Sequence, residues 1–253
     1  KDADDIVSRY PVPRSALLPM LPLVQSVDGY VSPDGISFCA EVVDLTSAEV
    51  SAVATFYTQY KRRPNGEYQV GVCTTALCAT MGGDEIWRQL SDKCGVGHDE
   101  TTADGKITLE RLECNAACDY APVMMVNWEF FDNMTPDRAL RIVDDILEGR
   151  DVKPTRGPNK VSTFKETERV LAGFEDGKAD EDQGVGDPTL VGLKIAREQG
   201  ALIEFDKHSW PWSLMIAPVM NVDLFELSNN HIWQTKFGFR KWTVDTIAPY
   251  MQL

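Results

Sequence analysis

The chain reads as an α+β protein, with a helical arm, then a small mixed unit of strands and helices, then an extended tail. Three observations carry that reading. Apolar residues recur at helical spacing before residue 60, and the pattern switches to a two-residue period at Tyr68. Elements then follow in the order β-α-β-β-α up to Gly149, and regular periodicity fades beyond it. The expected partition is 1–63 for the arm, 64–150 for the mixed unit, and 151–253 for a linker and Trp-rich tail.

The arm starts with Leu17, Leu18, Leu21, Val24 and Val27, which fall on one helical stripe. Pro19 and Pro22 blur where that helix begins, because proline is tolerated only in a first turn, where its missing N–H has no partner to lose. Ser32-Pro33-Asp34-Gly35 reads as a turn. A second helix is announced at Thr46-Ser47-Ala48-Glu49, where the threonine caps an early backbone N–H and Glu49 reaches back. Val50, Val53, Ala54 and Tyr57 line its apolar face. In the mixed unit, Tyr68 to Cys73 alternates as a strand, and Gly82-Gly83-Asp84-Glu85 opens a helix that buries Ile86, Trp87 and Leu90. Two more strands are expected at Ile107–Glu113 and Val123–Phe131. A last helix runs from Pro136 at its first position to Gly149 just past its end. From Lys153 to Pro158 the chain reads as extended loop, and Glu175–Asp187 sets six acidic residues against one lysine, the composition of a solvated linker.

Charge excludes several functions. With 25 Lys+Arg against 39 Asp+Glu the formal net charge is −14, so the chain repels a phosphate backbone, and nucleic acid or anionic lipid is not expected as a partner. The stretch Leu17–Val24 is broken by two prolines and falls short of the roughly 20 apolar residues of a membrane span. No signal peptide is expected behind the acidic start Lys1-Asp2-Ala3-Asp4-Asp5, and a reducing compartment is expected, where cysteines more often hold metal than form disulfides.

Four of the six cysteines fall in two close pairs, Cys73-Thr-Thr-Ala-Leu-Cys78 and Cys114-Asn-Ala-Ala-Cys118, a C-x4-C … C-x3-C spacing. Each pair lies where an expected strand gives way to loop, so sulfurs distant in sequence can converge. Four thiolates suit a zinc ion or an iron-sulfur cluster. Zinc sites favour tighter C-x2-C knuckles, whereas these wider loops suit two irons and two sulfides. Thr74, Thr75, Ala76, Ala116 and Ala117 leave room for backbone N–H groups beside the sulfurs. Structural zinc, a thiol-disulfide pair and unrelated buried thiols stay open on spacing alone, although no C-x-x-C is present.

The helix text Ala48-Glu49-Val50 with Val53-Ala54-Thr55-Phe56-Tyr57, the first cysteine pair, and the run Glu113-Cys114-Asn115-Ala116-Ala117-Cys118-Asp119-Tyr120-Ala121-Pro122-Val123 through Asn127 resemble one family. It is the thioredoxin-like [2Fe-2S] ferredoxin subunit of respiratory complex I, the E subunit of NADH-quinone oxidoreductase. The resemblance covers about Pro13 to Gly149. It implies a thioredoxin-like fold and one [2Fe-2S] cluster on Cys73, Cys78, Cys114 and Cys118, one iron to each pair. It also implies electron exchange with FMN in a flavin- and NADH-binding partner subunit, embraced by the helical arm, on the cytoplasmic side of a bacterial inner membrane. FMN and NADH are then expected in the partner only, and the chain indeed carries neither a G-x-G-x-x-G fingerprint nor a phosphate-binding G-x-x-x-x-G-K-[ST] loop. The same module in an NAD-linked hydrogenase or formate dehydrogenase is the nearest alternative host, and a zinc-stabilised interaction module the alternative of another class.

Remaining candidates receive plainer readings. Cys39 and Cys94 are expected to be reduced thiols that pack as small hydrophobes. His98, His208 and His231 belong to no ligand spacing, and no G-x-S-x-G elbow occurs. Asp144 and Asp145 are expected on a solvated helix face, and Lys61-Arg62-Arg63 as cations at a helix C-terminus. The tail holds Trp210, Trp212, Trp233 and Trp242, and its segment Trp210–Val222 is expected to lie along a neighbouring subunit, other peripheral-arm subunits being its partners.

Overall fold

A computed structural model describes residues 1–178, 191, 194, 195, 197–200, 204, 205, 224 and 225. The chain divides into two units, Lys1–Gly184 and Val185–Leu253. In the second, the described residues include a parallel pair, β6 (Glu204–Phe205) and β7 (Leu224–Phe225). The four tail tryptophans and His208 and His231 lie outside the described residues.

The first unit begins with α1 (Asp2–Ser8), a 3-10 turn at Pro13–Ala16, and α2 (Leu17–Asp28). Pro22 sits inside α2 and has no N–H to give the Leu18 carbonyl four residues back. The Tyr60 hydroxyl donates to that carbonyl instead, at 3.1 Å, so the helix continues through its proline. Ser32-Pro33-Asp34-Gly35 is not the expected turn but the start of α3 (Pro33–Val43). Ser32 Oγ accepts from Gly35 N at 2.9 Å and proline occupies the first position, where it suits a helix. Gly35 is required there, because a Cβ would lie 2.3 Å from Val24 Cγ1. α4 (Ser47–Phe56) carries the expected capping box, with Glu49 N bonded to Thr46 Oγ1 at 3.2 Å and Thr46 N to Glu49 Oε2 at 2.9 Å. Leu17, Met20, Leu21, Cys39, Val43 and Val50 are the centre of this helical core.

Next come β1 (Tyr68–Cys73), the single turn α5 (Ala76–Cys78) and, after a wide turn at Ala79–Gly83, α6 (Asp84–Cys94). β2 (Glu100–Thr101) and β3 (Ile107–Leu112) follow, then β4 (Met124–Val126), β5 (Glu129–Phe131) and α7 (Pro136–Leu147). The sheet order is β2-β3-β1-β4-β5, with β1 parallel to β3 and the other neighbours antiparallel. The parallel pair needs a crossover, and α6 supplies it. Val70, Val72, Ile107 and Leu109 point to a second core shared with α6 and α7.

The expected strand Val123–Phe131 is a hairpin of two short strands. Asn127 and Trp128 both have positive φ, 45° and 72°, the pattern of a tight turn that suits twisted strands. Asn127 is fixed from outside the hairpin: its Oδ1 accepts from Gln69 N at 2.8 Å, and its Nδ2 donates to Glu67 O at 3.2 Å and Ser162 O at 2.8 Å.

After an extended stretch from residue 151, α8 (Phe164–Leu171) forms and lies on α2. The residues Thr163-Phe164-Lys165-Glu166 hold a second capping box, a local start signal of the same kind as that at Thr46 and absent from the sequence expectations. α8 closes a buried polar seam between arm and sheet. Glu168 Oε2 accepts from Gln25 Nε2 at 2.7 Å, and Gln25 Oε1 accepts from Lys61 N at 2.5 Å. Lys61 Nζ pairs with Glu110 of β3 at 2.8 Å, with both side chains almost fully buried. Lys61 is therefore not a cation at a helix end: α4 stops five residues earlier, and the ammonium is needed against a carboxylate on the polar face of the sheet. Burial pushes the Glu168 carboxyl up to about 7, against hydrogen bonds from Gln25 and Trp128.

Candidate metal centre

The two cysteine pairs meet at the end of the sheet where β1 and β3 finish. Cys73 is the last residue of β1, in register with Leu112, the last of β3. Cys78 ends the α5 turn, and Cys114 follows β3 by two residues. Cys118 opens a 3-10 turn, Cys118–Tyr120, that leads into β4. Cys73 and Cys78 are buried with Ala117, Ala121 and Val123, whereas Cys114 and Cys118 are exposed.

Two backbone devices bring the first pair together. Cys73 N donates to Val123 O at 3.0 Å, which ties the end of β1 to the strand that follows the second pair. Gly83 lets the start of α6 press on both cysteines, since a Cβ there would come within 2.5 Å of Cys73 O and 2.9 Å of Cys78 O. The second pair is held in a loop. Ala116 takes a left-handed conformation, φ 56°, that turns its N–H toward Cys114 Sγ at 3.4 Å. Asn133 N donates to Tyr120 O at 2.8 Å and Met134 N to Pro122 O at 2.9 Å, so the segment after Cys118 is laced to the chain beyond β5.

Cys114 Sγ and Cys118 Sγ lie 3.4 Å apart, far beyond a disulfide bond of about 2 Å. All six cysteines are free. Burial pushes the Cys78 thiol up to about 11, opposed by a backbone hydrogen bond from Val123 and reinforced by the Cys73 thiol and by Cys118. Cys118 is raised by its hydrogen bond with Cys114, then by burial and by the Cys114 and Cys73 sulfurs. Thiols lifted in this way are poor attacking groups in disulfide exchange, which needs the thiolate. Bound cations reverse that balance, because a coordinated thiol gives up its proton.

The sulfurs of the two pairs face one another: Cys78 interacts with both Cys73 and Cys118, and Cys118 with both Cys114 and Cys73. Four cysteine sulfurs, two N–H groups aimed at sulfur and an apolar lining of alanine and valine fit a [2Fe-2S] cluster.

The remaining candidates fall where packing takes them. Cys39 is enclosed in the helical core and burial pushes it up to about 12, while Cys94 is half-buried and raised for the same reason. His98 Nδ1 accepts from Arg111 N at 3.0 Å, a satisfied surface contact. Asp144 and Asp145 pair with Lys93 and Arg150 at 2.5 and 2.6 Å.

A sheet ending in two cysteine pairs defines a class, and comparison with known proteins agrees with it. The chain belongs to the thioredoxin-like [2Fe-2S] ferredoxin family, whose profile matches residues 3–147, and one [2Fe-2S] cluster is the group that family carries. Two curated relatives are named as the E subunit of NADH-quinone oxidoreductase. That of Mycobacterium tuberculosis (strain ATCC 25618 / H37Rv) is 59% identical over 198 residues, 78% of this chain and 78% of the relative. That of Rickettsia bellii (strain RML369-C) is 35% identical over 147 residues, 57% of this chain and 88% of the relative. Among solved structures, an NAD+-reducing [NiFe]-hydrogenase in the air-oxidized state matches with a TM-score of 0.48 and 19% identity, over 53% of this chain and 23% of that one. The chain is thus an electron-transfer subunit of an oxidoreductase complex. Among the described residues, no helix is long and apolar enough to cross a membrane.

Proposed function

We propose that Cys73, Cys78, Cys114 and Cys118 ligate the [2Fe-2S] cluster through their sulfurs, the first pair to one iron and the second to the other. The cluster exchanges electrons with FMN in the NADH-binding partner subunit of a proton-pumping NADH-quinone oxidoreductase, in a peripheral arm on the cytoplasmic side of a bacterial inner membrane. The observation that carries this reading is the meeting of the two cysteine pairs, with 35 residues between them in sequence, at one end of the sheet. The names of relatives 59% identical over most of the chain support the host.

When bound, the cluster supplies one-electron chemistry, and the chain supplies the surroundings that tune it. The buried cysteines exclude water from one side, and the exposed pair leaves the other side open toward a partner. Backbone N–H groups of Ala116 and Val123 stabilise negative charge on sulfur without moving a proton. The partition into arm (1–63), cluster domain (64–150) and linker with tail (151–253) belongs to the same proposal, with the third part folded back on the other two as far as Phe174. The tail serves contacts to other peripheral-arm subunits.

The test is an electron paramagnetic resonance spectrum of the dithionite-reduced protein, with iron and acid-labile sulfide counts. The expected result is an axial or rhombic two-iron signal with equal iron and sulfide. Stoichiometric zinc without iron or sulfide in anaerobically purified, folded protein would overturn it. For the partner, NADH should bleach the cluster only after the flavin-carrying subunit is added.

A further inference from the structure

The loop that carries Cys118 is held by a residue outside the family's matched span. Past α7 the chain returns along β5, where Arg156 forms an antiparallel bridge with Phe130. The Arg156 guanidinium carbon lies 4.1 Å from the centre of the Phe130 ring and 5.0 Å from that of Tyr120, the last residue of the Cys118–Tyr120 turn. It is fixed from behind by Asp132, which is 5% exposed. Arg156 Nη2 donates to Asp132 Oδ1 at 3.2 Å, and Nε lies 3.1 Å from Oδ2 without hydrogen-bond alignment. Thr155 completes the clamp: its Oγ1 accepts from Asp132 N at 2.9 Å and lies 2.8 Å from Asp132 Oδ2.

We infer that Arg156 is a positioning residue for the outer half of the metal centre, an inference that rests on the ligand assignment proposed above. The planar guanidinium, in contact with two rings and anchored by a buried carboxylate, sets where Tyr120 lies and with it the turn that presents Cys118. Asp132 largely cancels the charge, so Arg156 acts through geometry. Lysine would keep the charge but not the flat face, and is not equivalent at a stacked site. Partners beyond the ligands commonly govern metal retention by about 10- to 100-fold.

The experiment compares the full-length wild type with Arg156→Gln, Arg156→Lys and Tyr120→Leu, which removes one of the two rings that the guanidinium contacts. A fourth variant, Val143→Ala, opens a cavity in the sheet core, whose cluster includes neither cysteine pair. Two readouts are taken well below the unfolding temperature: the rate of iron release to a chelator and the line width of the reduced-state paramagnetic signal. Arg156→Gln and Tyr120→Leu should release iron about tenfold faster or more and broaden the signal. Arg156→Lys should fall between, and Val143→Ala should match the wild type in both. An Arg156→Gln protein that keeps wild-type release and line width overturns the inference while the ligand assignment stands. So does an equal change in Val143→Ala, which would reduce the effect to general destabilisation. A wild type without a two-iron signal overturns the ligand assignment and this inference together.

Discussion

The two cysteine pairs offer the same chemistry from opposite kinds of structure. Cys73 and Cys78 are part of the fold's rigid interior, one ending a central strand and the other a helical turn pressed down by Gly83. Cys114 and Cys118 stand exposed on a loop whose shape depends on a left-handed alanine, two backbone hydrogen bonds and the Arg156 stack. Perturbing the first pair's support should therefore damage the whole fold, whereas perturbing the second pair's support should damage the metal centre and spare the fold.

Ligand removal gives the largest contrast. Cys114→Ser should lose most of its iron while the protein stays folded, and Cys39→Ser, at a thiol in the helical core, should keep a full complement. Equal iron loss in the two would erase the distinction between ligand and packing thiol. Next comes Gly83→Ala, whose Cβ has only backbone to meet at 2.5 Å. It should cost about 3 kcal/mol in chemical denaturation and lower the iron content with it; unchanged stability would mean that the inner pair is no more rigidly mounted than the outer.

A titration at the seam separates fold stability from metal retention. Because burial raises the folded-state pKa of Glu168 to about 7, the folded protein holds a proton there that the unfolded chain releases near 4.5. That contribution is present in full below about pH 4.5 and lost as pH rises through about 7, by an amount of order 3 kcal/mol at most. Denaturation midpoints measured from pH 4.5 to 8 should show this fall, and Glu168→Gln should flatten it without altering the paramagnetic signal. The smallest effect is expected at Ala116→Val, where a β-branched residue must take φ 56°. A loss of about 1 kcal/mol is expected, with faster iron release than stability alone explains; thermal melts and chelator kinetics on one sample would check both.

Sequence patterns revealed the local parts of this design. The capping box at Thr46 and the buried side of α6 are written in residues three or four apart, and the proline and glycine bracketing α7 are signals local to each helix end. The cysteine spacing likewise made a metal centre one of the open readings, and the cluster and its ligand set came with the family resemblance. Illegible features are those decided by distant partners. Val123–Phe131 reads as one strand because nothing nearby announces that Glu67, Gln69 and Ser162 will seize Asn127. Lys61 reads as a cation at a helix C-terminus because Glu110, its partner, is 49 residues away. Arg156 carries no pattern at all, since both rings and the carboxylate that hold it belong to other elements.

The seam between Gln25 and Glu168 also has a consequence in time. The two residues are 143 positions apart, so on the ribosome α2 emerges long before the carboxylate that completes its buried amide. By then the strands that bring the cysteine pairs together, which end at Phe131, have already been synthesised. The nascent chain can thus assemble its sulfur donors first and latch its amino-terminal helices last, when α8 arrives.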